Sequence, residues 1–278
     1  MKDEMILKIS NLDKAFGGLK VLQNVDFNIK RGEKRALIGP NGAGKTTLLN
    51  AIGGQGLATA GKIVFNMQHK TGKIVSRNIT QMSPNRRLHL GISKSFQVNN
   101  LFWRLNILQN VLLALYGAET NHIRFVERLE RKADYLAKAE RLLGTINLWD
   151  KREESPTLLS YGEQRLLEML LAYASKPDLV LLDEPSAGLP TAEVDAFIET
   201  LKKLNGDTTM LFVAHDMDLV FSLADNISVL YYGQIIASGP PDEIANDPRV
   251  QEIYLGADED PTCDICEEEE TIKEEEEK

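Results

Sequence analysis

Apolar and polar residues alternate over residues 5–9 and again over 25–29, on either side of a turn at Gly17-Gly18. That period of two predicts a pair of half-buried strands. Residues 35–38 (Arg35-Ala36-Leu37-Ile38) form a third strand that runs into a glycine-rich segment, and residues 46–52 then read as a helix. Two further runs, 179–182 (Leu-Val-Leu-Leu) and 210–213 (Met-Leu-Phe-Val), are apolar throughout. Such runs suit strands covered on both faces, as in a parallel sheet. Helical segments at 191–204 and 216–224 lie between and after them. The alternation predicts an α/β layered core, with an antiparallel β subdomain at the N-terminus.

Between about 104 and 174 strand signals vanish and helical ones dominate. Leu129, Ala133, Leu136 and Ala137 are expected on one face of a segment otherwise rich in Arg, Glu and Lys. This predicts a helical sub-lobe inserted into the core. Residues 66–80 read as a polar hairpin. One folded unit is expected over 1–256, followed by an acidic disordered tail over 257–278. No internal repeat is visible.

The chemistry starts at Gly39-Pro40-Asn41-Gly42-Ala43-Gly44-Lys45-Thr46-Thr47, a full match to G-x-x-x-x-G-K-[ST] between a strand and a helix. Glycines allow a tight loop whose N–H groups surround phosphate oxygens, and the helix points its positive end at the same anion. Lys45 would reach the β- and γ-phosphates, and Thr46 would offer its hydroxyl to Mg²⁺. A second element is the apolar strand that ends in Asp183-Glu184. Asp183 would hold Mg²⁺. Glu184 would polarise the attacking water as general base. A third is Leu159-Ser160-Tyr161-Gly162-Glu163-Gln164-Arg165, which opens a helix. Ser160 and Glu163 have capping-box spacing. That spacing also fits an ordinary capped helix, but it leaves a second anion site at the helix start. Two phosphate-binding surfaces on one chain suggest a head-to-tail dimer with ATP between them.

Charge alters little in this reading. The net charge is −9, but residues 258–278 hold 12 acids and 2 bases, or −10, which leaves +1 for the other 257 residues. The folded part is nearly neutral and has no basic stripe, so no nucleic acid is expected as partner. The two cysteines, Cys263 and Cys266, rule out a disulfide framework and supply only two of the roughly four ligands of a structural zinc. No apolar run approaches the ~18 residues of a membrane span, and Met1-Lys2-Asp3-Glu4 is no apolar signal region. A cytosolic location is expected.

Together these motifs resemble the ATP-binding cassette (ABC) family over residues 5–256. The resemblance implies the P-loop fold of that family and ATP hydrolysis with Mg²⁺. It identifies Ser160-Tyr161-Gly162-Glu163-Gln164 with the signature motif, which meets ATP bound to the other subunit. Gln97, in Ser95-Phe96-Gln97-Val98, is similar to the glutamine loop that contacts Mg²⁺ and water and faces the membrane subunit. His215, in Val213-Ala214-His215-Asp216, resembles the switch histidine. Phe16 resembles the aromatic that stacks on adenine, though a lone Phe there could equally be core. Phe96, Val98, Leu101, Phe102 and Trp103 are unusually apolar for a connecting segment, which suits either a docking groove or core packing.

Phe16-Gly17-Gly18-Leu19-Lys20-Val21-Leu22, Ser95-Phe96-Gln97 and the ending Asp247 to Gly256 resemble the importer subclass for branched-chain amino acids and related hydrophobic or amide substrates. That implies two permease subunits, a like or related ATPase partner, an extracytoplasmic binding protein and a place at the cytoplasmic face of the membrane. A urea or amide importer is close in pattern, and exporter-type and non-transport ABC ATPases are the wider alternatives. Beside the acidic tail with Cys263 and Cys266, which has no counterpart in the family, two positions depart from it. Tyr161 stands where a second glycine is usual, and Pro190 stands where the loop after Glu184 usually ends in Asp. The second departure puts that loop's cross-dimer contact in doubt and leaves open a heterodimer.

Overall fold

The computed structural model of the protein describes residues 4–68, 74–95, 101–119, 133–206 and 208–256. The first expected strand pair is there and longer than the alternation alone suggested. β1 (Met5–Phe16) pairs antiparallel with β2 (Leu19–Lys30), from Met5 opposite Lys30 to Phe16 opposite Leu19. In β2 the alternation places Val25, Phe27 and Ile29 in the core and the residues between them in solvent.

β3 (Lys34–Ile38) and α1 (Lys45–Gly53) follow. β4 (Ala60–Gln68) and β5 (Ile74–Asn78) then complete a four-stranded sheet in the order β2-β1-β4-β5. The polar hairpin expected at 66–80 is this β4–β5 pair, with Gln68 opposite Ile74. β5 is mostly exposed, hence its polar character.

The second sheet holds six strands in the order β10-β9-β3-β8-β7-β6. β6 is Ile92–Lys94, β7 Leu179–Asp183, β8 Thr209–Val213, β9 Asn226–Tyr231 and β10 Gln234–Gly239. All pair in parallel except β10, which returns antiparallel on β9. Every residue of β7 and β8 is buried, as their unbroken apolar runs require. β6, β9 and β10 went unread in the sequence. β6 has three residues, and β10 has only one fully buried residue, so neither gives a strong periodic signal.

Leu48, Leu49 and Ile52 of α1 pack in one core with both sheets. The opposite face of the second sheet is covered by α5 (Tyr161–Ala174), α6 (Thr191–Asn205) and α7 (Met217–Leu223). A third core joins α3 (Ile107–Glu119), α4 (Ala133–Thr145) and α5. α5 therefore serves two cores, with Met169 and Tyr173 in one and Leu167 and Leu170 in the other. The chain ends its described part in α8 (Pro241–Ala245) and α9 (Pro248–Gly256).

The expected apolar face of the sub-lobe needs correction. Tyr135, Ala139 and Leu143 are the buried residues of α4 and Leu136 is partly buried against the same core, while Ala133 and Ala137 are exposed. The 135–139–143 spacing is a sound helical face, and small alanines outside it mimic a stripe. Leu129 lies outside the described residues, as does the tail with Cys263 and Cys266.

The far end of α1 is closed by a buried cation. Arg87, in α2 (Pro84–His89), is fully buried and donates to the carbonyls of Ala51 (2.5 Å), Ile52 (2.6 Å), Thr80 (3.1 Å) and Met82 (3.0 Å). Burial pushes its guanidinium down to about 10, still charged at neutral pH. Positive charge at the C-terminal end of a helix complements the dipole and fills otherwise orphaned acceptors. Arg87→Met leaves those acceptors unpaired in the interior. It is expected to cost about 3 kcal/mol of unfolding free energy, read as a lower denaturation midpoint at unchanged slope.

Candidate functional site

The loop Gly39–Gly44 leaves the carboxyl end of β3 and enters α1. It fits only without a side chain at residue 39, because a Cβ there would sit 2.0 Å from the Leu230 carbonyl oxygen. Gly39 also has φ 149°, which glycine alone adopts freely. The turn from β9 to β10 braces the loop from outside. Tyr232 and Gly233 both have positive φ (41° and 76°), as a tight two-residue hairpin demands. The Gly233 amide donates to Ala43 O (3.0 Å) and Gly233 O accepts from the Gln23 amide of β2 (2.9 Å).

Lys45 is buried, with Nζ donating to Gly39 O (2.8 Å) and Pro40 O (2.9 Å). Burial lowers its pKa, while Glu184 and Asp183 work against that shift. The next residue, Thr46, donates through Oγ1 to Asp183 Oδ1 (3.3 Å). Burial pushes Asp183 up, against the pull of Lys94. Lys94 on β6 is itself lowered by burial and donates to Asn50 Oδ1 and to Gln55 Oε1 (2.8 Å). Nothing in the local sequence marks Lys94. It stands three residues before Gln97, and only pairing of β6 with β7 brings it near Asp183.

Glu184 follows the last residue of β7 with φ 47°, an unusual conformation for a residue with a Cβ. Its amide donates to Val213 O (2.9 Å), and its carboxylate Oε1 lies 3.4 Å from His215 Nε2. Glu184 and His215 line a cavity of about 400 Å³ together with Ser186, Leu189, Asp195 and Asp216. The structure thus brings Lys45, Thr46, Asp183, Glu184 and His215 to the carboxyl edge of β3, β7 and β8, where open α/β sheets take ligands.

Ser160 caps α5 as its spacing predicts. Its Oγ accepts from the Glu163 amide (3.2 Å), and Glu163 Oε2 accepts from the Ser160 amide (2.9 Å). Burial works against the charge of Glu163, but Lys151 and Ser160 hold it below the usual carboxylate range. Gln164 donates to Leu159 O (3.0 Å). Tyr161 donates its hydroxyl to Ala187 O (2.9 Å), in the segment after Glu184. Gly162 packs against Glu193, whose Oε2 would lie 2.5 Å from any Cβ at 162. Pro190 takes the position before α6 with no side-chain cap.

Phe16 is 57% exposed at the end of β1, with Lys14 Nζ 4.6 Å from its ring centre, so it is no core residue. Gln97, Phe96 and Val98 lie outside the described residues. Leu101 is core, whereas Phe102 and Trp103 are exposed. Their turn is held by buried Asn110, which accepts from the Phe102 amide (2.8 Å) and donates to Asn106 O (2.9 Å). Sequence reasoning also missed Tyr254 of α9. Burial raises its phenol, against a hydrogen bond with the Gly39 backbone.

A glycine-lined phosphate loop with a buried lysine, an adjoining hydroxyl–carboxylate pair and a separate capped helix start define a nucleotide-binding cassette. A family model described as ABC transporter matches residues 22–187, and one described as branched-chain amino acid ATP-binding cassette transporter matches 234–260. The probable branched-chain amino acid transport ATP-binding protein LivG of Archaeoglobus fulgidus is 34% identical, over 91% of this chain and 96% of its own. The high-affinity LivG protein of Escherichia coli is 33% identical, over 90% and 98%. The crystal structure of a nucleotide-free ATP-binding cassette from an ABC transporter superposes with a TM-score of 0.74 at 29% identity, covering 90% of this chain and 98% of that one. A bacterial ABC transporter cassette solved as a dimer gives 0.68 at 27% identity, over 84% and 98%. The chain belongs to the ABC transporter family, and it is a nucleotide-binding ATPase. No helix of its described residues is long and apolar enough to cross a membrane.

Gly39→Ala tests the loop geometry. A methyl 2.0 Å from Leu230 O must displace the loop. Affinity for a fluorescent ATP analogue is expected to fall by about tenfold or more, equivalent to about 1.4 kcal/mol.

Proposed function

We propose that the chain is the ATP-hydrolysing subunit of an importer for branched-chain or related amino acids. The observation that supports this most is the ending over 234–260, which matches a family model specific to such cassettes, in a chain whose relatives bear that function in their names over almost their full length. The urea or amide importer remains the second reading, because Ser95-Phe96-Gln97 and the glycine turn after Phe16 suit both.

In this reading Lys45 and the backbone N–H groups of the loop from Asn41 to Thr47 hold the β- and γ-phosphates, and Phe16 stacks on the adenine. Thr46 and Asp183 are hard oxygen donors 3.3 Å apart, a set that suits Mg²⁺, which keeps most of its shell as water and phosphate. When bound, the ion supplies positive charge to the phosphate oxygens. Gln97 would complete that side of the site. Glu184 accepts a proton from the attacking water, and His215, beside its carboxylate, contacts the γ-phosphate. Ser160–Gln164 would meet ATP held by the other subunit, so two chains, alike or related, close head-to-tail around two nucleotides. Phe102 and Trp103 offer an apolar patch for the permease at the cytoplasmic face of the membrane. An extracytoplasmic binding protein would deliver the solute.

Glu184→Gln is expected to keep ATP affinity and lose turnover by about 100-fold or more in a phosphate-release assay. Normal turnover would remove Glu184 from the base role. His215→Ala should slow single-turnover hydrolysis with nucleotide still bound, and an unchanged rate makes it structural. For the solute, cells lacking the chain should lose uptake of labelled leucine, isoleucine and valine. Loss of urea uptake alone would select the second reading.

A further inference from the structure

Arg165 is a buried cation that the mechanism above leaves unused. It stands one turn into α5, the helix that Ser160 caps, and its guanidinium faces the backbone that follows β7. Nε donates to Pro185 O (3.0 Å), and Nη2 donates to Asp183 O (3.2 Å) and Glu184 O (2.7 Å). Nη1 pairs with Glu168 Oε2 (3.0 Å) one turn on. Tyr161 adds the bond to Ala187 O farther along the same segment. The start of one helix therefore grips four carbonyls, those of Asp183, Glu184, Pro185 and Ala187. Among these four stands Glu184 at φ 47°, the one acidic residue with a left-handed backbone among the described residues. A strained conformation persists only where its surroundings over-determine it. Here Val213 O holds the Glu184 amide and Arg165 holds its carbonyl.

We propose that Arg165 is a positioning residue for Glu184: its fork of N–H groups fixes the 183–185 backbone so that the Glu184 carboxylate points beside His215, with Tyr161 as the outer anchor. The inference rests on the reading of Glu184 as general base. It also gives the helix that presents Ser160 a direct mechanical hold on this chain's own hydrolytic carboxylate. A lysine cannot replace the fork, because an ammonium is a point charge and cannot span three carbonyls in one plane.

The experiment compares the full chain with R165K, E168Q and Y161F, reading ATP affinity, kcat and KM. R165K is expected to bind ATP within about twofold of the parent and to lose kcat by about tenfold or more. E168Q removes the paired charge but leaves the three carbonyl bonds, and should stay within about twofold. Y161F, which removes one hydroxyl from a half-exposed side chain, should fold and lower kcat about threefold at unchanged KM. It decides the matter if R165K does not fold. In an E184Q background, R165K should lower the residual rate by less than about twofold, since its route through the carboxylate is gone. Parental kcat in R165K, an equal loss in E168Q, a fall in affinity matching the fall in kcat, or a full tenfold loss added to E184Q would each overturn the assignment. In the event that R165K is unfolded, parental kcat in Y161F overturns it. The E184Q single variant reports on the base role by itself, so the two failures are distinguishable.

Discussion

The contact on which the rest depends is backbone against backbone at the phosphate loop. Residue 39 lies against the Leu230 carbonyl so closely that no side chain fits between them, and residue 233 joins the loop to β2 by a hydrogen bond on each side. Three distant stretches of chain meet there without side chains. Only a sheet that sets β9 beside β3 can bring them together. The loop is therefore held by the order of strands as much as by its own glycines. Burial of Lys45 follows from it, since the ammonium turns into the loop rather than out to water.

Much of the site was legible because its signals are local. Lys45 and Thr46 open the helix after a glycine loop, Asp183 and Glu184 close a strongly apolar strand, and Ser160 and Glu163 are three residues apart on one helix start. Period, capping and glycine content suffice for such features. The fold class followed from the same signals, because two fully apolar strands alternating with helices leave few arrangements. What stayed hidden depends on long-range contact. Arg87 closes a helix some 35 residues away in sequence, and Arg165 holds carbonyls 18 to 20 residues on. A backbone carbonyl has no residue type, so no pattern could mark either partner. The one cue was a charge among leucines: Arg165 precedes Leu166, Leu167 and Leu170. The misread face of α4 has the opposite cause, since alanines satisfy a helical period without needing burial.

α5 carries several roles at once. Its first turn presents Ser160, its second grips the 183–185 backbone, and its remaining residues divide between two cores. A rigid helix built into both the sheet layer and the sub-lobe cannot shift at one end without loading the other. The two positions expected to depart from the family pattern lie along this line. Tyr161 reaches over Gly188 to Ala187, and Pro190 ends the same segment before α6. A glycine at 161 would have no hydroxyl to offer, so here the loop is tied to its own chain.

The left-handed backbone at Glu184 carries a further consequence. Such a conformation costs a residue with a Cβ about 1–3 kcal/mol, and glycine escapes most of that penalty. The protein therefore accepts a standing penalty to keep a carboxylate at this corner. On the role proposed for Glu184, durability and turnover are opposed at a single amino acid: the sequence that would withstand heat best here is one that could not burn its fuel.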